Sequence, residues 1–306
     1  MRVLFAGTPA VALPSLEALR AAGHEIVAVL TRPDAPLGRK RVTTPSPVAA
    51  RAEELDLPVI KADRIDAEAA AAIAAAAPDV AAIVAYGALI PASALEIPTH
   101  GWINLHFSLL PAWRGAAPVQ HSVINGDEVT GASTFLLEVG LDTGPVYGTM
   151  TESIRATDTS AQLLERLSHS GAVLLAQTID AIAAGAVSGV VQQGQISLAP
   201  KLTLEDGRVH WNDPALAINR RIRGVTMEPG AWTMLGGQRF KLAPVLLRPD
   251  VTDLAPAQLR IEPKSVLVGT GSHAVELVEV QPAGKKLMKA TDWARGLANK
   301  EDVVFE

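Results

Sequence analysis

The chain opens with RVLFAGTP at residues 2–9, a short apolar run that stops at a glycine and a proline. An apolar run bounded by turn residues is typical of a buried β-strand. Residues 10–22 follow with apolar side chains at helical spacing, and residues 25–30 form a second strand-like run. A strand, a helix and another strand in this order predict two parallel strands joined by a crossover helix.

The same alternation continues along the first half of the chain, with predicted helices at 48–55 and 67–77 and predicted strands at 58–60, 80–84 and 102–105. It predicts an α/β fold with a Rossmann-like, mostly parallel sheet and helices on both faces. In such sheets, functional residues lie in loops at the carboxyl ends of the strands.

Beyond residue 206 the alternation gives way to short strands separated by Gly and Pro, with single strands predicted at 239–246 and 275–280. This pattern predicts a small C-terminal β-barrel of OB-like type. We therefore expect a catalytic domain at 1–188, a linker at 189–205 and a β-barrel domain at 206–306.

Composition narrows the class of protein. Hydrophobic residues make up 48% of the 306, which excludes general disorder, and the absence of cysteine excludes disulfides and thiolate metal sites. The apolar stretches are too short to span a membrane, so we expect a cytoplasmic protein. We also expect a monomer. The net charge of -5 argues against a nucleic-acid partner, although residues 206–306 carry 14 basic and 12 acidic residues.

Asn104 and His106 stand two residues apart at the end of a predicted strand. Side chains at that spacing point to one face. Taken alone, the pair is better explained by a histidine that only hydrogen-bonds a carbonyl than by a catalytic site. Asp142 lies downstream in the glycine-flanked run GLDTGP at 140–145, where a carboxylate can approach an imidazole. Its charge would raise the pKa of His106, and apolar surroundings would oppose that shift.

Three motifs together are more specific: NLHFSLLP at 104–111, RGAAP at 114–118 and LDTG at 141–144. They resemble the signature of the 10-formyltetrahydrofolate-dependent formyltransferases. Four further stretches resemble the members that act on methionyl-tRNA: FAGTP at 5–9, PSPV at 45–48, AYG at 85–87 and GKKLM at 284–288. The resemblance thus covers nearly the whole chain.

The resemblance implies a reaction in which a methionine α-amine attacks the formyl carbon carried by N10 of the folate, with no metal required. Asn104 and a protonated His106 would stabilise the negative oxygen of the tetrahedral intermediate. Asp142 would hold His106 and relay protons. It also implies a set of residues around 10-formyltetrahydrofolate: Tyr86, Gly87, Leu89, Ile90, Ser108, Leu109, Leu110, Pro111, Val139 and Gly140.

The run at 31–47, called the basic loop below, carries four cations against one acid. From the residues alone, a solvated charged loop is as good an interpretation as a nucleic-acid contact. The resemblance favours contact with initiator methionyl-tRNA, the expected partner. The expected tRNA-binding residues are Arg32, Arg39, Lys40, Arg41, Arg220, Arg223, Lys285 and Lys286.

Three other functions fit parts of the same pattern. A formyltransferase for a small amine would share the site, but the basic loop and the extra domain argue against it. A hydrolase would release formate without an acceptor. A non-catalytic RNA-binding protein would not need His106 or Asp142. The run GTGSHA at 269–274 has the form of a dinucleotide fingerprint, but a strand-like run follows it, which disfavours cofactor binding there.

Overall fold

The computed structural model describes residues 1–38, 41–298 and 303–306. The chain forms two compact units, each built from more than one stretch of sequence. The first unit comprises Met1–Gly115, Val129–Ser153 and Leu164–Ala199. The second unit comprises Ala116–Glu128, Ile154–Leu163 and Pro200–Glu306.

The strands in chain order are β1 (Arg2–Gly7), β2 (Glu25–Thr31), β3 (Ala35–Leu37), β4 (Val42–Thr44), β5 (Val59–Lys61), β6 (Val80–Val84), β7 (Trp102–His106), β8 (Val129–Leu136), β9 (Val146–Ser153), β10 (Ala231–Leu235), β11 (Gln238–Leu242), β12 (Leu246–Arg248), β13 (Leu259–Ile261), β14 (Val266–Val268), β15 (Ala274–Glu276), β16 (Glu279–Gln281) and β17 (Met288–Lys289). The α-helices are α1 (Leu13–Ala21), α2 (Pro47–Glu54), α3 (Ala67–Ala76), α4 (Ala92–Leu95), α5 (Pro118–Asn125), α6 (Ser160–Ala183), α7 (Ala215–Gly224) and α8 (Ala290–Arg295).

The first unit is built on a seven-stranded sheet in the order β5-β2-β1-β6-β7-β8-β9. The strands from β5 to β7 pair in parallel, and β8 and β9 add antiparallel pairs at one edge. Successive residues Val3, Leu4, Phe5 and Ala6 of β1 are all fully buried. Because neighbouring side chains point to opposite faces, both faces of the sheet are covered, as predicted for a mostly parallel sheet between helices.

The basic loop contains a short antiparallel hairpin that the sequence reading did not predict. β3 pairs with β4 from Ala35 opposite Thr44 to Leu37 opposite Val42. Side chains of both strands are exposed or half-buried. The hairpin therefore adds local order without a hydrophobic face to pack.

The second unit is strand-rich, as predicted, with two four-stranded sheets in the orders β10-β11-β16-β17 and β12-β15-β14-β13. The single strands predicted at 239–246 and 275–280 are wrong, because each run is divided between the two sheets. Leu242 pairs with Val280 in one sheet, and Leu246 pairs with Glu276 in the other. Residues 243–245 separate β11 from β12, and residues 277–278 separate β15 from β16. Strands that pass from one sheet to another do so through bends of this kind. The bend contains Pro244, which has no N–H for a ladder hydrogen bond.

Helix α7 of the second unit was not predicted either. Its buried residues Ala215, Ile218 and Ile222 follow helical spacing and join the core of this unit. That core also holds an aromatic cluster, in which Trp211 stacks on Phe305 with ring centroids 5.4 Å apart. The helical spacing of these apolar residues could have predicted α7, but the strand-like runs around it led to an all-β prediction for this region.

Candidate active site

Strand β7 carries Asn104 and His106 at the point where the sheet changes from parallel to antiparallel. Asn104 lies opposite Phe135 of β8 and His106 opposite Ser133. Asn104 is half-buried, and the imidazole of His106 meets the Phe135 ring edge-on with centroids 6.3 Å apart. Leu105, which alternation places on the opposite face, is buried. Strand geometry thus gives the two polar side chains one common face.

The imidazole of His106 has a definite orientation. Its Nε2 lies 2.9 Å from the carbonyl oxygen of Trp113, and its Nδ1 lies 3.8 Å from Oδ2 of Asp142. A carbonyl oxygen only accepts, so Nε2 carries the hydrogen. In the neutral ring, Nδ1 then presents a lone pair toward the Asp142 side.

Burial lowers the pKa of His106, and this effect exceeds the opposing influence of the Asp142 charge and the Trp113 hydrogen bond. The side chain is only 6% exposed, so the charged form loses most of its hydration. The resting imidazole is therefore neutral near pH 7. The imidazolium that the resemblance implies would therefore have to form during the reaction.

Asp142 lies in the segment 137–145 between β8 and β9, called the Asp142 loop below. Its Oδ2 accepts a hydrogen bond of 2.7 Å from the backbone N of Gly115. Its backbone has φ 49°, in the left-handed region that costs a non-glycine residue energy. A Cβ added to Gly144 would lie 1.8 Å from the carbonyl oxygen of Leu136, so the backbone can approach this closely only at glycine.

The loop after β7 is fixed by Ser133 of β8. The hydroxyl of Ser133 donates to the carbonyl oxygen of Ser108 at 2.7 Å and accepts from the backbone N of Leu110 at 3.1 Å. The hydroxyl of Ser108 donates to the carbonyl oxygen of Ala112. Ser108 and Pro111 are buried, and Leu109 and Leu110 are half-buried. These residues therefore set the path of the chain toward Trp113.

The residues expected around the folate divide into buried and exposed sets. Tyr86 is only 1% exposed, and its phenol donates to the carbonyl oxygen of Ala62 at 2.7 Å, so its side chain belongs to the core. Ile90 packs partly against the same core cluster. Leu89 and Val139 are 86% and 85% exposed, an unusual setting for two large apolar side chains on site loops. Gly87 and Gly140 are exposed.

The cations expected in the basic loop differ in setting. The guanidinium of Arg32 donates from Nη1 to the carbonyl oxygens of Asp63 at 2.8 Å and Gly87 at 3.2 Å, and it forms an ion pair with Asp63. Arg41 is exposed, and Arg39 and Lys40 lie outside the described residues. Arg32 is thus tied to the loop after β6.

The cations expected in the second unit also differ. Arg223 is buried, with Nε donating to Asn219 at 2.9 Å and Nη1 donating to the carbonyl oxygen of Asp158 at 2.6 Å. Arg220 is half-buried, and Lys285 and Lys286 are exposed. Arg223 therefore has little capacity left for a phosphate, while the two lysines are accessible.

Sequence reasoning missed Gln192, which lies in a stretch that carried no motif. Its side-chain amide donates to the carbonyl oxygens of Asp142 and Gly144, each at 2.8 Å. Its oxygen accepts from Arg114 Nε and Nη2 at 3.1 and 2.7 Å. No local pattern marks a glutamine with partners this distant in sequence.

Across residues 1–38, 41–298 and 303–306, no group of three or more His, Cys, Asp or Glu side chains is placed to hold a metal ion. None of the helices in this described part is both long and apolar enough to cross a membrane.

Family models match almost the whole chain: "Formyl transferase" at residues 1–179 and "Formyl transferase, C-terminal domain" at residues 201–298. A methionyl-tRNA formyltransferase of Paenarthrobacter aurescens is 70% identical over 306 residues, which cover 100% of both chains.

Solved structures share the fold at 16% identity. The methionyl-tRNA formyltransferase of Clostridium thermocellum has a TM-score of 0.57 and matches 81% of this chain and 94% of its own. HypX of Aquifex aeolicus in complex with tetrahydrofolic acid has a TM-score of 0.65 and matches 96% of this chain and 47% of its own. From the two models and the full-length identity, the chain belongs to the formyl transferase family.

Proposed function

We propose that this enzyme transfers the formyl group of 10-formyltetrahydrofolate to the α-amine of methionine on initiator methionyl-tRNA. The product, formylmethionyl-tRNA, would serve translation initiation. The observation that carries the proposal is the 70% identity to a methionyl-tRNA formyltransferase over the full length of both chains. The common face of Asn104 and His106 on β7, with Asp142 3.8 Å from His106, supports it, because formyl transfer needs an oxyanion donor and a proton carrier at one carbon.

The loops on either side of the site have the chemistry that a pterin would need. Leu89 and Val139 offer apolar surface, and the backbone at Gly87 and Gly140 is exposed. A flat heterocycle with hydrogen-bonding edges fits a site of apolar walls and accessible backbone groups. The bound folate would supply the formyl group.

Asn104 would stabilise the oxygen that becomes negative. Within the described part of the chain its side-chain amide makes no hydrogen bond, so its N–H groups are free for a ligand. Donors placed in advance at a developing oxyanion contribute about 3 kcal/mol each to transition-state stabilisation.

His106 would move the proton. Its Nδ1 would accept a proton from the attacking amine nitrogen as the carbon–nitrogen bond forms. The imidazolium that results would be stabilised by Asp142, whose Oδ2 is 3.8 Å away. The same proton would then pass to N10 as that nitrogen departs, so proton count and charge balance over the reaction.

The exposed cations Arg41, Lys285 and Lys286, together with Arg220, would contact tRNA phosphates. The buried Arg223 and the tied Arg32 are left out of this set, and Arg39 and Lys40 lie outside the described residues. We further propose a cytoplasmic monomer that needs no metal. For its domains we propose catalytic residues 1–188, a linker at 189–205 whose residues 190–199 hydrogen-bond within the first unit, and a tRNA-binding part at 206–306.

A transfer assay tests the proposal directly. The enzyme is incubated with 10-formyltetrahydrofolate and methionyl-tRNA, with uncharged tRNA plus free methionine, or with no acceptor. Formyl transfer is expected with methionyl-tRNA alone. Equal formylation of free methionine would favour a small-amine enzyme. Formate release without an acceptor would favour a hydrolase, and binding without any turnover would favour an RNA-binding protein.

A further inference from the structure

Residues 190–199, called the strap below, follow two loops of the site. At one end, Val190 and Val146 exchange two backbone hydrogen bonds of 2.8 Å, directly after the Asp142 loop. At the other end, the backbone N of Ala199 donates to the carbonyl oxygen of Arg114 at 2.7 Å, and Arg114 N donates to that of Ser197 at 2.9 Å. The strap is thus fastened to both loops that supply partners for His106.

Gln192 connects these two loops through its side chain. Its Nε2 uses both hydrogens, one on the carbonyl oxygen of Asp142 and one on that of Gly144. Its Oε1 accepts from two nitrogens of Arg114. Among common side chains, only an amide combines two donors with an acceptor in this way. The position of Asp142 is therefore coupled to that of Arg114.

Ser197 fixes the other partner of His106. The backbone N of Trp113 donates to the hydroxyl oxygen of Ser197 at 2.8 Å. The carbonyl oxygen of the same Trp113 accepts from His106 Nε2 at 2.9 Å. Trp113 has φ 58°, a conformation that surrounding contacts must maintain. One segment thus holds the acceptor on one side of the imidazole and the carboxylate on the other.

We propose that Gln192 is a positioning residue for formyl transfer, and that the strap sets the distance between His106 and Asp142. The inference rests on the proposed function. A carboxylate 3.8 Å from Nδ1 stabilises the imidazolium, and its effect declines as the distance grows. Loss of the Gln192 hydrogen bonds would let the Asp142 loop relax. Displacements of about 1 Å near reacting groups can reduce rates by about a hundredfold.

The test compares Gln192→Leu and Gln192→Glu with the matched control Gln193→Leu, since Gln193 is the exposed neighbour. Gln192→Glu keeps the acceptor for Arg114 but places an oxygen against two carbonyl oxygens. Both Gln192 variants should lose about tenfold to a hundredfold in kcat, with KM for both substrates within about twofold of wild type. Gln193→Leu should keep wild-type values.

A second readout separates positioning from a merely structural role. The histidine signals are titrated by NMR without substrate, and His106 is assigned by its loss in His106→Gln. In Gln192→Leu the pKa of His106 should be lower still, because the Asp142 carboxylate would lie farther from the imidazole. If Gln192→Leu does not fold, Ser197→Ala serves in its place and should reduce kcat in the same direction.

The two failures are distinguishable. A wild-type enzyme that forms no formylmethionyl-tRNA overturns the proposed function. A wild type that transfers normally, beside Gln192 variants with unchanged kcat and an unchanged His106 titration, overturns the positioning role alone. A lower melting temperature with those two quantities unchanged also overturns it.

Discussion

The Asp142 loop and the basic loop both belong to the first unit, and both are predicted to act on the same substrates. The Asp142 loop is held by Gly115, Gln192 and a close backbone approach at Gly144. The basic loop has an exposed hairpin whose main bonds join its own two strands. The Asp142 loop is held at Asp142 by neighbours from several parts of the chain, whereas the basic loop is attached to other segments through Arg32 and Asp34, before its exposed hairpin.

This difference corresponds to what each task demands. Proton transfer and oxyanion stabilisation need groups held to within a fraction of an ångström. The backbone that carries these groups must therefore be fixed by several contacts. Contact with a phosphate needs a positive charge on a long side chain. Its energy falls slowly with distance, so it depends little on precise geometry. The predictions below compare changes at the candidate active site, in His106 and the Asp142 loop, with changes in the basic loop, in order of decreasing effect.

The largest effect is expected for the proposed proton acceptor. His106→Ala should lower kcat by about a thousandfold or more, because it removes the proton acceptor. Affinity for methionyl-tRNA, measured by filter binding, should stay within about twofold. Arg41→Ala should do the reverse and keep kcat at saturating tRNA. Near-normal turnover by His106→Ala would contradict the assignment of this residue.

Glycine replacements should separate the two loops in stability. Gly144→Ala would place a Cβ 1.8 Å from the carbonyl oxygen of Leu136, so the backbone must shift, at a cost of about 3 kcal/mol in free energy of unfolding. Gly38→Ala meets no atom of the described residues within 4 Å and bears only the left-handed φ of +70°, about 1 kcal/mol. Urea denaturation measures both. Equal losses would show that the loops are equally constrained.

Stability should also depend on pH through His106. Its pKa in the folded chain is lowered by burial, whereas in the unfolded chain its pKa is about 6.5. Below that pH, His106 binds a proton in the unfolded state but not yet in the folded state. The free energy of unfolding should therefore fall as pH drops from about 6.5 to the folded pKa, by at most about 1.4 kcal/mol per pH unit. Above pH 6.5, roughly the unfolded pKa, this contribution should not change with pH.

His106→Gln provides the control, because it should lack this component of the acid sensitivity. His24, which is also buried with a lowered pKa, remains in both proteins, so the difference between them isolates His106. Arg41→Ala should leave the acid profile unchanged. Parallel profiles for wild type and His106→Gln would contradict a buried, neutral imidazole.

The smallest effects are expected within the basic loop. Arg41→Ala should weaken tRNA binding severalfold and reduce the salt slope by about 0.8, one phosphate contact. Arg32→Ala should leave the slope unchanged and raise KM for 10-formyltetrahydrofolate severalfold, because Arg32 holds the carbonyl oxygen of Gly87. A reduced slope in Arg32→Ala would return this residue to the tRNA-binding set.

Features could be predicted from the sequence when the residues that determine them are close together along the chain. Asn104 and His106 could be placed on one face because strand alternation is a local property. The role of Gln192 could not be predicted, since Asp142 lies 50 residues away in sequence and an amide carries no local pattern. Arg223 appeared to be one of several equivalent arginines, and only the packing of α7 shows that it is buried. The bend at Pro244 likewise needed knowledge of both sheets.

The exposure of Leu89 and Val139 has a thermodynamic consequence. A folate that covers them removes apolar surface from water, and such burial lowers the heat capacity of the complex. Calorimetric titration at several temperatures should therefore give a binding enthalpy that becomes more favourable on warming. Replacing both side chains with Ser should flatten that dependence, even if compensation leaves the dissociation constant almost unchanged.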